Sequence, residues 1–209
     1  MFSAEQALEW IRRTAGVIEE NAGMLTRLDS AIGDGDHGVN MNRGFRAVLE
    51  RIAGLDGDFA ALFRGVGMAL IGKVGGAAGP LYGSFYLGVG KQLGNQTEVD
   101  DAGLAAGLRA GLDGIIARGK AQLEDKTMVD AWDPALRALD EAIAEGVELG
   151  PALDRAAEAA EEGMKATIPM IARKGRASYL GERSRDHQDP GATSTHLIVR
   201  ALADVVNGR

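Results

Sequence analysis

The chain has no cysteine, which excludes disulfide bridges, thiolate zinc sites and cysteine nucleophiles. It has no surplus of positive charge: 23 Lys and Arg stand against 30 Asp and Glu, a net charge of −7. Non-specific attraction to nucleic acid or to a membrane surface is therefore not expected. No apolar run is long enough for a signal peptide or a membrane span, and the start, MFSAEQALEWIRR, is amphipathic and charged. The expectation is a cytoplasmic protein. Period-two alternation, the mark of half-buried strands, is nearly missing. What is present is a chain of 209 residues, 45% hydrophobic and 25% charged. That is enough for one domain with a sizeable core, taken to span residues 1–209.

Helical periodicity fills the chain. Residues 3–22 read as a helix with Ser3 as N-cap, Gln6 three residues on, and Leu8, Ile11, Ala15 and Ile18 on one face. An acidic loop follows. The spacing then predicts a helix over 39–52, with Met41, Phe45, Val48, Leu49 and Ile52 inward, and another over 59–73, carrying Leu62, Val66, Leu70 and Ile71. An apolar helix runs from a glycine-rich segment to about residue 93. The next is capped by Asp100 or Asp101 and ends near 118, and helices over 131–146 and 150–172 follow. Loops are expected at 119–130 and 174–188. The last helix has Asp189 as N-cap, Pro190 at its first position and Gly208 beyond its end. Its expected buried stripe is Leu197, Ile198, Ala201, Leu202, Val205 and Val206. About eight helices with short connections predict an all-α antiparallel bundle or barrel. A good share of the 30 glycines cluster in the loops, so the loops are the expected seat of function.

Residues 28–40 read LDSAIGDGDHGVN, with Asp29, Asp34 and Asp36 beside one imidazole and three glycines. Carboxylates so close repel unless a cation or strong donors sit among them. Oxygen ligands of this kind suit Mg²⁺, which keeps several waters and completes its shell with phosphate oxygens. The ordinary alternative is a solvated acidic turn that caps the next helix. An EF-hand fails, because the twelfth position counted from Asp34 is Phe45 rather than Glu. Zinc is disfavoured with a single histidine nearby. Gly33, Gly35 and Gly38 match G-x-G-x-x-G, but a helix rather than a strand precedes them, which rules out the dinucleotide fingerprint.

Residues 75–83, GGAAGPLYG, let the backbone approach a ligand ahead of a helix N-terminus, an anion site. A tight helix corner explains the same composition, and the lysine of a Walker A loop is missing. Arg173, Lys174, Arg176, Arg183 and Arg185 bring positive charge into an acidic chain, suited to phosphate or simply solvated. Within DKTMVD, residues 125–130, Met128 reads either as a cover for an adenine ring or as core. His196, among apolar residues, reads as a packing histidine.

In this order, LDSAIGDGDHGVNMNRGF, GGAAGPLYG, DKTMVD, GRASYLGERS and HQDPGATS closely resemble the nucleotide-binding L subunits of dihydroxyacetone kinases, over almost the whole chain. The resemblance implies an antiparallel barrel of eight helices with ADP or ATP held by the loops at one end. It implies Asp29, Asp34 and Asp36 as ligands of two Mg²⁺ ions. Nucleotide contacts would come from His37, Gly38, Val39 and Asn40, from Ala77 and Ala78, and from Gly119 and Met128 near the adenine. Arg176 and the loop Asp189, Pro190, Gly191 complete the set. The family often carries serine where this chain has Ala78, so a hydroxyl contact to phosphate is lost.

The resemblance also implies partners. A K subunit holds dihydroxyacetone and supplies the base, so no catalytic residue is expected in this chain. A phosphohistidine-carrying M subunit of the phosphotransferase system rephosphorylates the bound ADP. A chain of this length is expected to take that form rather than the fused, ATP-exchanging one. The alternatives are a subunit of an ATP-dependent kinase for another small sugar, or a nucleotide-binding module that contacts a transcriptional regulator.

Overall fold

Ser3 Oγ accepts the N–H of Gln6, and the Gln6 side chain accepts the N–H of Ser3, a reciprocal capping box that starts α1 (Ala4–Ile32). A computed structural model describes residues 1–55 and 57–209. In it α1 does not stop at 22. Leu25, Asp29 and Ile32 continue its buried face at helical spacing, and Gly33 ends it. Asp29 therefore stands on the last turn of a helix and not in a loop.

The remaining helices are α2 (His37–Ile52), α3 (Phe59–Lys73), α4 (Ala78–Leu93), α5 (Asp101–Gly119), α6 (Val129–Ala144), α7 (Leu149–Ala166) and α8 (Pro190–Val206). Asp58, Asp100 and Asp189 cap α3, α5 and α8 by accepting N–H groups three residues on. Helix α7 ends short of the predicted 172, because Pro169 has no N–H to continue it and disfavours a helical Ile168; the carbonyls of Thr167, Ile168 and Met170 accept the Lys126 ammonium. A 3-10 segment, Arg176–Ser184, occupies the loop predicted at 174–188. A two-residue antiparallel pairing, β1 (Phe2–Ser3) with β2 (Glu98–Val99), was not foreseen.

Each helix packs on its successor, and α8 packs back on α1, so the ring closes into an all-α barrel. Trp10, Phe63, Phe85, Tyr86 and Trp132 fill its centre, with the Phe85 and Trp132 rings stacked at 4.2 Å. The Trp10 indole donates to the Ile198 carbonyl at 3.0 Å and stitches α1 to α8. Not all glycines belong to loops. A Cβ at Gly88 would lie 2.5 Å from the Ala110 carbonyl oxygen, so the α4–α5 seam needs glycine there.

Some inward expectations differ. Leu49 and Ile71 are 37% and 38% exposed, each at the edge of its helix's buried stripe. On α8, Leu197, Val205 and Val206 are only partly buried, whereas Val199 and Ala203 join the core. The first turns of α8 are buried all round, because they enter the barrel between α1, α6 and α7. Among the described residues no helix is long and apolar enough to cross a membrane.

Up-and-down connectivity puts the α1–α2, α3–α4, α5–α6 and α7–α8 connections at one end. The four segments singled out in the sequence are these connections.

Candidate functional site

A cavity of about 390 Å³ lies at that end, lined from all four connections, a volume suited to a small-molecule ligand. Its acidic corner is built on the end of α1. Asp29 Oδ2 accepts the N–H groups of Asp36 at 2.8 Å and His37 at 3.0 Å, so the start of α2 is pinned to the end of α1. A Cβ at Gly33 would lie 2.1 Å from Asp29 Oδ1, and Gly35 turns the chain with a φ of +72°. The turn gathers carboxylate oxygens of Asp29, Asp34 and Asp36 within 4.8 Å of one another. A hard cation with oxygen ligands fits three carboxylates at that distance, beside the N–H groups and the arginine that already serve Asp29 and Asp34. Asp34 also pairs with Arg176 Nε at 2.9 Å, from the 3-10 segment across the cavity.

His37 turns its Nε2 to Ser194 Oγ at 2.9 Å. Burial lowers its pKa below the usual imidazole range, against the opposing pull of Asp29 and Asp36. Asn40 follows one turn later and accepts from Arg43 at 2.6 Å. Opposite, no side chain among the described residues caps α4, so its first N–H groups form a positive dipole end that favours anions. Leu81, Ile115, Ala121 and Met128 make an apolar wall.

The last loop is held from below. Asp189 Oδ2 accepts the N–H of Ala192 at 2.7 Å, and its own N–H donates to Thr167 Oγ1 at 3.0 Å. Burial pushes the Asp189 carboxyl up to about 7, the Ala192 N–H opposing and Asp130 reinforcing. The Lys126 ammonium, 1% exposed, donates to the carbonyls of Thr167 (2.8 Å), Ile168 (3.3 Å), Met170 (3.1 Å) and His187 (2.5 Å). Burial lowers its pKa, and Asp189 and Asp186 work against that.

Of the residues marked in the sequence, Asp29, Asp34, Asp36, His37, Asn40, Ala77, Ala78, Gly119, Met128, Arg176, Asp189, Pro190 and Gly191 line the cavity. Gly38 and Val39 do not. Because α2 begins at His37, its 3.6-residue period turns His37 and Asn40 towards the cavity. A Cβ at Gly38 would strike the Ala22 carbonyl oxygen, so it serves helix packing, and Val39 is 56% exposed. Of the basic group only Lys174 and Arg176 reach the lining. His196 meets the Ala157 carbonyl at 3.3 Å, a packing role. Sequence reasoning passed over Lys126, Tyr82 and Ser194. The lysine directly after Asp125 in DKTMVD was the available signal for the first, and the two hydroxyl residues carried none.

The DAK2 domain family model matches residues 31–204. The chain is 42% identical over 202 residues to the ADP-binding subunit DhaL of the PEP-dependent dihydroxyacetone kinase of Escherichia coli (strain K12), covering 96% of each. It is 39% identical to the ADP-binding subunit DhaL of the PTS-dependent enzyme of Lactococcus lactis subsp. lactis (strain IL1403), covering 99% of this chain and 100% of that one. The crystal structure of the C. freundii dihydroxyacetone kinase in complex with AMP-PNP and Mg²⁺ superposes with a TM-score of 0.71 at 26% identity, over 95% of this chain and 34% of that one.

Proposed function

This chain belongs to the DAK2 domain family, and on that premise we propose that it is the ADP-binding subunit of a phosphotransferase-dependent dihydroxyacetone kinase. A K subunit presents dihydroxyacetone at the cavity mouth, and an M subunit carrying phosphohistidine recharges the nucleotide in place. The observation that carries this reading is the convergence of three carboxylates, an uncapped helix start and an apolar wall on one cavity.

Asp29, Asp34 and Asp36 would hold two Mg²⁺ ions, which when bound neutralise phosphate charge. The chain's own part is positional. The amides at the start of α4 receive phosphate oxygens, and Arg176 can exchange its partner Asp34 for a phosphate. Leu81, Ile115 and Met128 shield the base from water. His37, Asn40, Gly119 and the Asp189–Gly191 loop hold the nucleotide from its other sides. No side chain here is assigned as general base; the sugar hydroxyl gives its proton to the K subunit. A regulator that reads the nucleotide state would use the same mouth, since only there is that state visible. The setting is the cytoplasm, with residues 1–209 acting as one domain.

The test is to purify the chain without added nucleotide, denature it, and assay the released ADP and Mg²⁺. About one equivalent of ADP with Mg²⁺ is expected. A folded chain that carries no nucleotide and binds neither ADP nor ATP would overturn the reading, and reversible exchange of ATP would replace the retained cofactor by an exchanging substrate.

A further inference from the structure

Behind the cavity lining, three of its elements meet at a cluster of hydroxyl groups. Tyr82 stands on α4 one turn beyond Ala78 and is fully buried. Its phenol oxygen lies 2.7 Å from Ser194 Oγ, 3.1 Å from Thr195 Oγ1 and 3.1 Å from the Gly191 carbonyl. Ser194 Oγ in turn lies 2.9 Å from His37 Nε2 and 3.1 Å from the carbonyls of Pro190 and Gly191. One network thus joins α2, α4 and α8 at their N-terminal turns, and all three contribute lining residues: His37, Ala78 and Gly191.

Tyr86 gives the internal comparison. It lies one turn further along the same helix, equally buried, and its hydroxyl has no hydrogen-bond partner among the described residues. Its ring packs against Trp10, Phe63 and Phe85. At Tyr82 a phenylalanine would fill the same core space, and the hydroxyl's partners all sit on α8, next to the cavity. Burial drives the Tyr82 phenol well above its usual range, so it stays a neutral donor. Fully satisfied buried networks hold one arrangement against alternatives.

We infer that Tyr82 is a positioning residue for nucleotide binding: its hydroxyl, through Gly191 and the Ser194–His37 pair, sets the last loop and the start of α2 in register with the glycine segment. The inference rests on the nucleotide reading above. A ligand held by three loops binds tightly when the loops are already aligned, and loses affinity when ordering them is left to binding.

The experiment compares the full chain with Tyr82→Phe, Ser194→Ala, the double variant, and Phe59→Leu, a buried change at the opposite end of the barrel. ADP binding in Mg²⁺ is measured by calorimetry, and turnover with K and M subunits. Tyr82→Phe is expected to weaken ADP about tenfold while maximal turnover changes less than twofold. Ser194→Ala should lose a similar factor, and the double variant no more than either alone, as for one coupled unit. Phe59→Leu, with an equal or larger drop in Tm, should bind ADP as wild type does. Wild-type affinity in Tyr82→Phe, an equal loss in Phe59→Leu, or fully additive losses would each overturn the role of Tyr82. Should Tyr82→Phe fail to fold, Ser194→Ala reads the same network. A wild-type chain that binds no ADP would bring down the nucleotide reading and this inference together.

Discussion

Asp34 and Asp189 show two ways a carboxylate serves this cavity. Asp34 is exposed and bound to Arg176 across the opening. Asparagine there keeps the shape and removes the charge. Asp34→Asn should therefore melt within a degree or two of wild type, yet lose on the order of a hundredfold in kinase support with K and M subunits; a coupled turnover assay beside a thermal melt checks both. Asp189 is buried, and its carboxyl is raised from 3.8 to about 7. The folded chain holds that proton more tightly than the unfolded one. The group's contribution to stability is complete below about pH 4 and is lost as pH rises towards 7. Asp189→Asn keeps a competent cap and should flatten this dependence. The slope difference between the two proteins, at most about 1.4 kcal/mol per pH unit, is measurable by denaturant titrations from pH 4 to 8.

At the scale of elements, the α5–α6 connection, the segment after α7 and the approach to α8 share one fastener, the Lys126 ammonium. Lys126→Met would leave the carbonyls of Thr167, Ile168, Met170 and His187 without their common donor, that of Thr167 in the buried core. The expected cost is about 3 kcal/mol in denaturant unfolding, together with weaker ADP binding, because Met128 and Asp189 flank the fastened segments. A stable variant with wild-type ADP affinity would show that the three segments hold each other without it. The same elements show what periodicity can reveal. Helix α3 starts at 59, where the apolar spacing predicts, and α5 follows Asp100, one of its two predicted caps. The end of α1 does not follow from local pattern, whereas Pro169 marks the end of α7. Helix α1 is extended by burial of Leu25, Asp29 and Ile32, and α7 stops three residues before its proline, leaving the Thr167 carbonyl to accept Lys126.

For the whole molecule, the cavity draws on both halves of the chain, so its ligand should stabilise the barrel as a unit. Removing ADP and Mg²⁺ by chelation and dialysis should lower Tm, and restoring ADP at a hundred times its Kd should return about 2.7 kcal/mol, checked by calorimetry. A melt indifferent to nucleotide and metal would contradict a site at the barrel's end. With both bound, the isolated chain should still show almost no turnover until a K subunit is added.

The all-α class, most helix starts and the clustering of carboxylates and glycines in the loops were legible in the sequence, because caps, helical spacing and composition are local signals. The family was legible too, from five motifs in order. Which side chains share the cavity was decided only by the tertiary structure. Gly38 and Val39 are adjacent to His37 in the chain and face elsewhere, because a helix starts at His37. Tyr82 and Ser194 are far apart in the chain and meet because α4 and α8 converge at one end of a closed ring. Local interactions can specify a turn or a cap, but contacts across a barrel exist only once the ring has closed.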